Sequence, residues 1–262
     1  MLKLKEISKV FYPGTVNEKM AIDDLNFSIK KGEVVSVVGS NGSGKTTLFN
    51  LISGTFPLTS GQIILDGKQV TNIPEYKRAF TIGRIFQDPT LGTAANMSIE
   101  DNLITASKKG MKGLRISLNN ERREEFKTLL LPIGLQDRLK DNVGLLSGGQ
   151  RQALTLLMTV MSKPKMILLD EHTAALDPRN AQIVMELTRK YITENKLTAM
   201  MVTHNMKAAI EFGNRLIMMD EGQIILDLSG KEKKSLTVEK LVALFKDIKK
   251  KEFASDEGLL NA

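Results

Sequence analysis

The sequence predicts an α/β protein built around a parallel sheet, and three observations carry that expectation. Short apolar runs bounded by turn residues alternate with longer stretches of helical period. Two of the runs, "EVVSVVG" and "MILLD", are continuous rather than alternating, as in strands covered on both faces. A glycine-rich loop follows the first of them directly and leads into a helical stretch, "TTLFNLIS".

Taken in order, "LKLKEI" and "AIDDLNFSI" alternate and read as half-buried strands. "EVVSVVG" is the first fully buried strand. "GQIILDGKQV" reads as a hairpin, with Asp66-Gly67 supplying the tight turn. "FTIGRIFQ" is a further strand. From about Asp88 to Ser162 the β-branched runs give way to helical signals. Ser98 with Asp101 makes a capping-box-like start, and "NNERREEFKTLLLPIGL" is strongly amphipathic. This stretch is expected to be a helical subdomain inserted in the α/β core, with "KKGMKGLRIS" as a mobile basic loop inside it. "MILLD" and "LTAMMVTH" are buried strands separated by a helix from Pro178 to about Asn195. Proline at the first turn gives up no helical hydrogen bond. "RLIMMDEGQIILDL" closes the core as two strands around Glu221-Gly222. Beyond Gly230 the tail predicts one amphipathic helix, about Val238 to Lys250, and then a polar end that frays.

The totals narrow the function less than the motifs do. The 262 residues suffice for one large domain or a core with a subdomain. No apolar run approaches the roughly 18 residues needed to cross a bilayer, and "MLKLKEISKVF" lacks a signal-peptide core. The absence of cysteine excludes disulfides and thiolate metal sites and fits a reducing cytosol. A net charge of +7 suits nucleic acid, an anionic membrane surface or an anionic cofactor, and does not choose among them.

"GSNGSGKTT", Gly39 to Thr47, matches G-x-x-x-x-G-K-[S/T] and stands between a strand and a helix, the context the motif requires. Gly42 and Gly44 allow the chain to turn so that successive N–H groups face a phosphate. The helix N-terminus adds partial positive charge. Lys45 would reach the β- and γ-phosphates, and the Thr46 hydroxyl would bind Mg²⁺. "MILLDEHTAALDP" buries an acid pair, which costs several kcal/mol without a compensating cation. Its strand is expected beside the phosphate-loop strand, bringing Asp170 to the metal and leaving Glu171 free to accept a proton from a water. In "LLSGGQRQALTLLM", Ser147 reads as an N-cap with Gly148 and Gly149 baring N–H groups at a helix start. One nucleotide has one γ-phosphate, so two phosphate cradles imply two ligands or two chains sharing each ligand.

Together "GSNGSGKTT", the "FQ" at Phe86-Gln87, "LSGGQRQ", "ILLDE", "AALD" at Ala174 to Asp177 and "VTH" ending at His204 resemble the ATP-binding subunit of an ABC transporter. The resemblance runs from about residue 2 to 228. It implies a P-loop NTPase, ABC-type ATPase core with a β subdomain and an inserted α-helical subdomain, at about 88–162. The cassette would span 1–228, with a C-terminal helix and tail at 229–262.

The resemblance further implies that Ser40, Asn41, Gly42, Ser43, Gly44, Lys45, Thr46 and Thr47 bind ATP. Phe11 takes the place of the adenine-stacking aromatic, with Tyr12 adjacent as the alternative. Thr46, Gln87 and Asp170 would serve Mg²⁺. Glu171 would be the general base, His204 would hold the γ-phosphate and the attacking water, and Gln87 would sense the γ-phosphate. Ser147, Gly148, Gly149 and Gln150 would face the γ-phosphate held by a second cassette, and Asp177 would couple the two sites of that homodimer. The implied partners are two transmembrane permease subunits, met at the surface after Gln87 that includes "LGTAANMS". No nucleic acid is implied, and the place of action is the cytoplasmic face of the membrane.

"GRIFQDPTLGTAANMSIEDNL" and "LLDEHTAALDP" also resemble cassettes that accompany tryptophan/tyrosine-type binding proteins. That likeness favours import of an amino-acid-like substrate delivered by an extracytoplasmic binding protein. The alternative is a soluble ABC ATPase of iron–sulfur cluster assembly. His172 departs from the pattern, which has proline after the acid pair. It is either a tolerated substitution or a pH-sensitive neighbour of Glu171. Both histidines of the chain are expected at the site.

Overall fold

The computed structural model describes residues 1–107 and 119–248. The basic stretch "KKGMKGLRIS" and the polar C-terminal end therefore lie outside the described residues. Two sheets organise the rest. A four-stranded antiparallel sheet has the order β2-β1-β4-β5, from β1 (Leu2–Phe11), β2 (Lys19–Ile29), β4 (Ser60–Leu65) and β5 (Lys68–Gln69). A six-stranded sheet has the order β10-β9-β3-β8-β7-β6. Its members are β3 (Val34–Gly39), β6 (Ile82–Ile85), β7 (Met166–Asp170), β8 (Thr198–Val202), β9 (Arg215–Asp220) and β10 (Gln223–Ser229). All its pairings are parallel except the hairpin of β9 with β10.

The patterning explains which sheet is which. In β1 the side chains of Leu2, Leu4 and Ile7 are buried between exposed neighbours, as in a sheet with one wet face. The β4–β5 hairpin turns at Asp66 and Gly67 with φ of 50° and 79°, the left-handed pair that a two-residue turn requires. In β7 and β8 every residue is buried, because helices and the second sheet cover both faces. The buried hydroxyl of Ser36 in β3 donates to the Phe212 carbonyl at 2.8 Å, which removes the cost of burying it.

Helix α1 (Lys45–Ser53) packs between the sheets and buries Leu48, Phe49, Leu51 and Ile52 completely. Each such side chain contributes about 1.5–3 kcal/mol. A short helix, α2 (Glu75–Arg78), precedes β6. Helices α3 (Ile99–Ser107), α4 (Asn120–Leu130) and part of α5 (Gly148–Met161) share a core of their own around Leu103, Phe126, Leu130 and Leu154. Ser98 caps α3, accepting from the Asp101 N–H at 3.1 Å, as the capping-box spacing predicts. On its other side α5 joins α6 (Pro178–Glu194) against β6, β7 and β8, through Ala153, Leu156, Val184 and Leu187.

A fourth core joins α7 (Met206–Glu211), β9 and the C-terminal helices α8 (Gly230–Lys234) and α9 (238–248), through Ala209, Leu216, Leu236 and Leu241. One expectation is corrected: β7 does not lie beside the phosphate-loop strand β3, because β8 runs between them. The strands that follow one another, β6, β7 and β8, pair in turn, so it is β8 and not β7 that reaches β3.

Candidate active site

Three neighbouring parallel strands, β3, β8 and β7, end at one edge of the sheet, and the loops that follow them make the site. The N–H of Thr203 donates to the carbonyl of Val37 in β3, and the N–H of Glu171 to that of Val202 in β8. The three strand ends are thus stitched together where the chemistry-bearing residues begin.

After β3 the chain wraps around the start of α1. Gly44 has φ of 98°, and a Cβ there would come within 2.6 Å of the Ala21 carbonyl oxygen, so only glycine fits. Lys45 is 5% exposed, and its ammonium donates to the carbonyls of Gly39 and Ser40 at 2.9 and 2.7 Å. Burial lowers its pKa, while the charges of Glu171 and Asp170 push it back up. The loop is tied down on its other side. Ser40 Oγ donates to Asp220 Oδ1 at 3.1 Å, and the Gly222 N–H donates to the Ser43 carbonyl.

Asn41, Gly42, Gly44, Lys45, Thr46 and Thr47 line an open cleft of about 300 Å³, together with Phe11, Glu171 and His204. Its remaining wall, Lys19 and Ala21 of β2, carries no motif in the sequence. Phe11 stands edge-on to Phe56, with ring centroids 5.5 Å apart, whereas Tyr12 is 67% exposed and lies off the cleft.

On the far side Glu171 has φ of 47°, and its Oε1 lies 2.6 Å from His204 Nε2. Asp170 pairs instead with Arg84 of β6, Nη2 to Oδ2 at 3.2 Å. Arg84 stands inside the "GRIFQDPTLG" stretch, but no motif gives it a role. The single sign in the sequence is a cation in the middle of the apolar run "FTIGRIFQ". Gln87 is exposed and lines a neighbouring groove with Phe86, Leu91 and Asp170.

A family model described as ABC transporter matches residues 22–174. The chain belongs to the ABC transporter family. It is the ATP-binding subunit, an ATPase whose hydrolysis powers transport. A tyrosine transport ATP-binding protein of Clostridioides difficile is 46% identical over 94% of this chain and 98% of its own length. A putative hemin import ATP-binding protein of Staphylococcus epidermidis is 35% identical over 85% of this chain and 98% of its own. Among solved structures, a dimeric post-hydrolysis ATP-binding cassette bound to ADP and Pi superposes with a TM-score of 0.73 at 26% identity, covering 87% of this chain and 98% of that one. Among the described residues no helix is long and apolar enough to cross a membrane.

The signature segment of this ABC subunit lies apart from the cleft. Ser147 caps α5 with a full capping box: its Oγ accepts from the Gln150 N–H, and its N–H donates to Gln150 Oε1, both at 3.2 Å. Ser147 and Gly148 are exposed, while Gly149 packs so closely that a Cβ would lie 2.6 Å from Asn180. Asp177 caps α6, its carboxylate accepting from the Asn180 N–H at 3.1 Å and from the Asn180 side chain at 2.6 Å. These bonds hold its pKa below the usual value.

Gln152, also in α5 and fully buried, closes the "LSGGQRQ" motif, yet the sequence assigns it no role. Its Nε2 donates both to the Phe86 carbonyl at 3.0 Å and to the His172 carbonyl at 2.8 Å. One amide therefore ties the signature helix to the residue before Gln87 and to the residue after Glu171.

His172 is not at the site. Its ring is 2% exposed and turned into the core, where Nε2 lies 3.1 Å from Thr188 Oγ1. Burial lowers its pKa to about 4. It does not titrate near neutral pH, and the pH-sensitive alternative falls.

Proposed function

We propose that the cleft binds ATP with Mg²⁺ and that hydrolysis proceeds with Glu171 as general base. The observation that carries this reading is the Glu171–His204 pair, 2.6 Å apart on the rim of the cleft that holds Lys45. In such a pair His204 orients the carboxylate. The carboxylate accepts the proton of a water aimed at the γ-phosphate. Lys45 would exchange its loop carbonyls for phosphate oxygens. Asn41 to Thr47 would supply backbone N–H groups, and Phe11 a stacking face for the base.

The donors near the cleft suit Mg²⁺: the Thr46 hydroxyl, the Asp170 carboxylate and the Gln87 amide are hard oxygen ligands. Among the described residues no cluster of three His, Cys, Asp or Glu could hold a metal by itself. The remaining ligands of the ion would be phosphate oxygens and waters, as Mg²⁺ commonly takes. Bound there, Mg²⁺ would neutralise charge between the β- and γ-oxygens.

The signature residues Ser147, Gly148, Gly149 and Gln150 stand apart from their own cleft. They are assigned to the γ-phosphate of a second copy, in a head-to-tail homodimer, with Asp177 coupling the two sites. The boundaries at about 88–162 and 1–228 describe the working parts of such a cassette. Two permease subunits would dock on the groove of Gln87 and Leu91, on the cytoplasmic face of the membrane. The import and transport names of the relatives, at 46% identity for the tyrosine protein, support import of an amino-acid-like substrate from a binding protein. They do not favour a cluster-assembly role.

Glu171→Gln tests the base: it should retain ATP and lower steady-state phosphate release by roughly 10²-fold or more. Near-parental turnover would refute it. The substrate is tested by joining the subunit to its permease and binding protein in liposomes. ATPase stimulation by binding protein loaded with tyrosine or tryptophan, and not by unloaded protein, is expected. Equal stimulation by both forms would refute the assignment.

A further inference from the structure

Arg84 lies in mid-strand in β6, in register with Leu168 of β7. Leu168 and Asp170 share one face of β7, since alternate side chains point the same way. Asp170 therefore comes within reach of the guanidinium. The contact is made to a single carboxylate oxygen, Oδ2, and leaves the other able to accept from elsewhere. The same guanidinium donates through Nη1 to Asn50 Oδ1 of α1 at 2.7 Å, and lies over the Phe86 ring at 4.7 Å. Both side chains of the ion pair are only 11% exposed. A single planar fork thus holds the acid at the end of β7, the helix that follows the phosphate loop and the residue before Gln87. A lysine could not make all three contacts.

A carboxylate buried to this extent needs a cation at all times, including when no metal is bound. We propose that Arg84 is a positioning residue that acts as a stand-in for the metal at Asp170. It neutralises and aims the carboxylate in the empty site and shares it with Mg²⁺ once nucleotide is bound. This inference rests on the assignment of Asp170 to the metal made above. The arrangement has an electrostatic consequence. Two cations that share one acid repel each other, so Arg84 raises the Mg²⁺ concentration needed to hold nucleotide while keeping the acid in its working orientation.

The test measures retention of ATP by the full chain carrying Glu171→Gln, as a function of Mg²⁺ concentration. Arg84→Gln keeps an amide for Asn50 and removes the charge. It should lower the half-saturating Mg²⁺ by about three- to tenfold. Arg84→Met, which keeps the stem and loses the charge, should shift the same way, and Arg84→Lys should stay within about twofold of the parent. In the otherwise native chain, Arg84→Gln should lower kcat while KM for ATP changes little, because the acid is no longer aimed.

Asp170→Asn should raise the Mg²⁺ requirement, and adding Arg84→Gln to it should lower that requirement by a smaller factor than in the parent, because only the repulsion and not the competition for the acid remains. If Arg84→Gln and Arg84→Met leave the Mg²⁺ dependence where it was, or move it upward, the stand-in role is overturned. If Asp170→Asn itself leaves the Mg²⁺ dependence unchanged, the metal assignment of Asp170 fails first, and the role of Arg84 falls with it.

Discussion

Replacing His172 by glutamine should make the protein measurably more resistant to acid. The imidazole is enclosed, and the Thr188 hydroxyl beside it already donates to the Val184 carbonyl at 2.7 Å. Thr188 Oγ1 must therefore accept from His172, so the neutral ring carries its proton on Nε2. Burial alone moves the pKa from 6.5 to about 4. As the pH falls through 6.5 the unfolded chain takes up a proton at this residue, and the folded chain does not until about pH 4. Stability is lost across that window at about 1.4 kcal/mol per pH unit, or about 3 kcal/mol in all. The amide introduced by His172→Gln could still donate to Thr188 and has nothing to titrate. Urea unfolding at fixed ionic strength, repeated from pH 7 to 4, should show the parent losing about 3 kcal/mol more than His172→Gln. Curves that run parallel to within about 1 kcal/mol would refute the buried neutral imidazole. ATPase profiles of the two proteins between pH 5.5 and 7 should coincide in shape, since the ring faces away from Glu171.

Two further outcomes follow from the same geometry. Ser147→Arg should abolish the ATP-driven dimer of the Glu171→Gln protein in sedimentation. Loss of the cap costs the monomer only about 1 kcal/mol and leaves Lys45 and Thr46 in place. A dimer that persists would place the signature outside the interface. Phe11→Ala should weaken ATP binding about tenfold by calorimetry, the size expected for losing one stacking face, and Tyr12→Ala should leave it unchanged. The opposite ranking would exchange their roles.

The parts of the site that the sequence makes legible are those where backbone chemistry dictates residue type. Gly44 is required by a positive φ and a carbonyl at 2.6 Å, so the phosphate loop is readable as a pattern. The Ser147–Gln150 capping box and the proline start of α6 are readable for the same reason. What could not be read is long-range placement. That β8 separates β3 from β7 depends on how crossover helices pack, and no local spacing records it. Arg84 and Gln152 stand inside recognisable stretches, but they act through partners 86 and 66 residues away in the chain, so local spacing does not record their roles. His172 misled because adjacency to Glu171 implied a shared site, whereas successive side chains leave the backbone in different directions. The short helices α2, α7 and α8 fall below the length at which helical period is detectable.

The two hydrogen bonds of Gln152 set the length of a lever. Gln152 stands five positions after Ser147, so the signature serine lies about 7.5 Å along the helix axis from a point tied to the core. A short lever turns a large rotation into a small step: tilting α5 by about 10° about the pin carries the serine only about 1 Å. The signature serine therefore stays in nearly constant step with the acid pair of its own chain, to which Gln152 is tied through the His172 carbonyl.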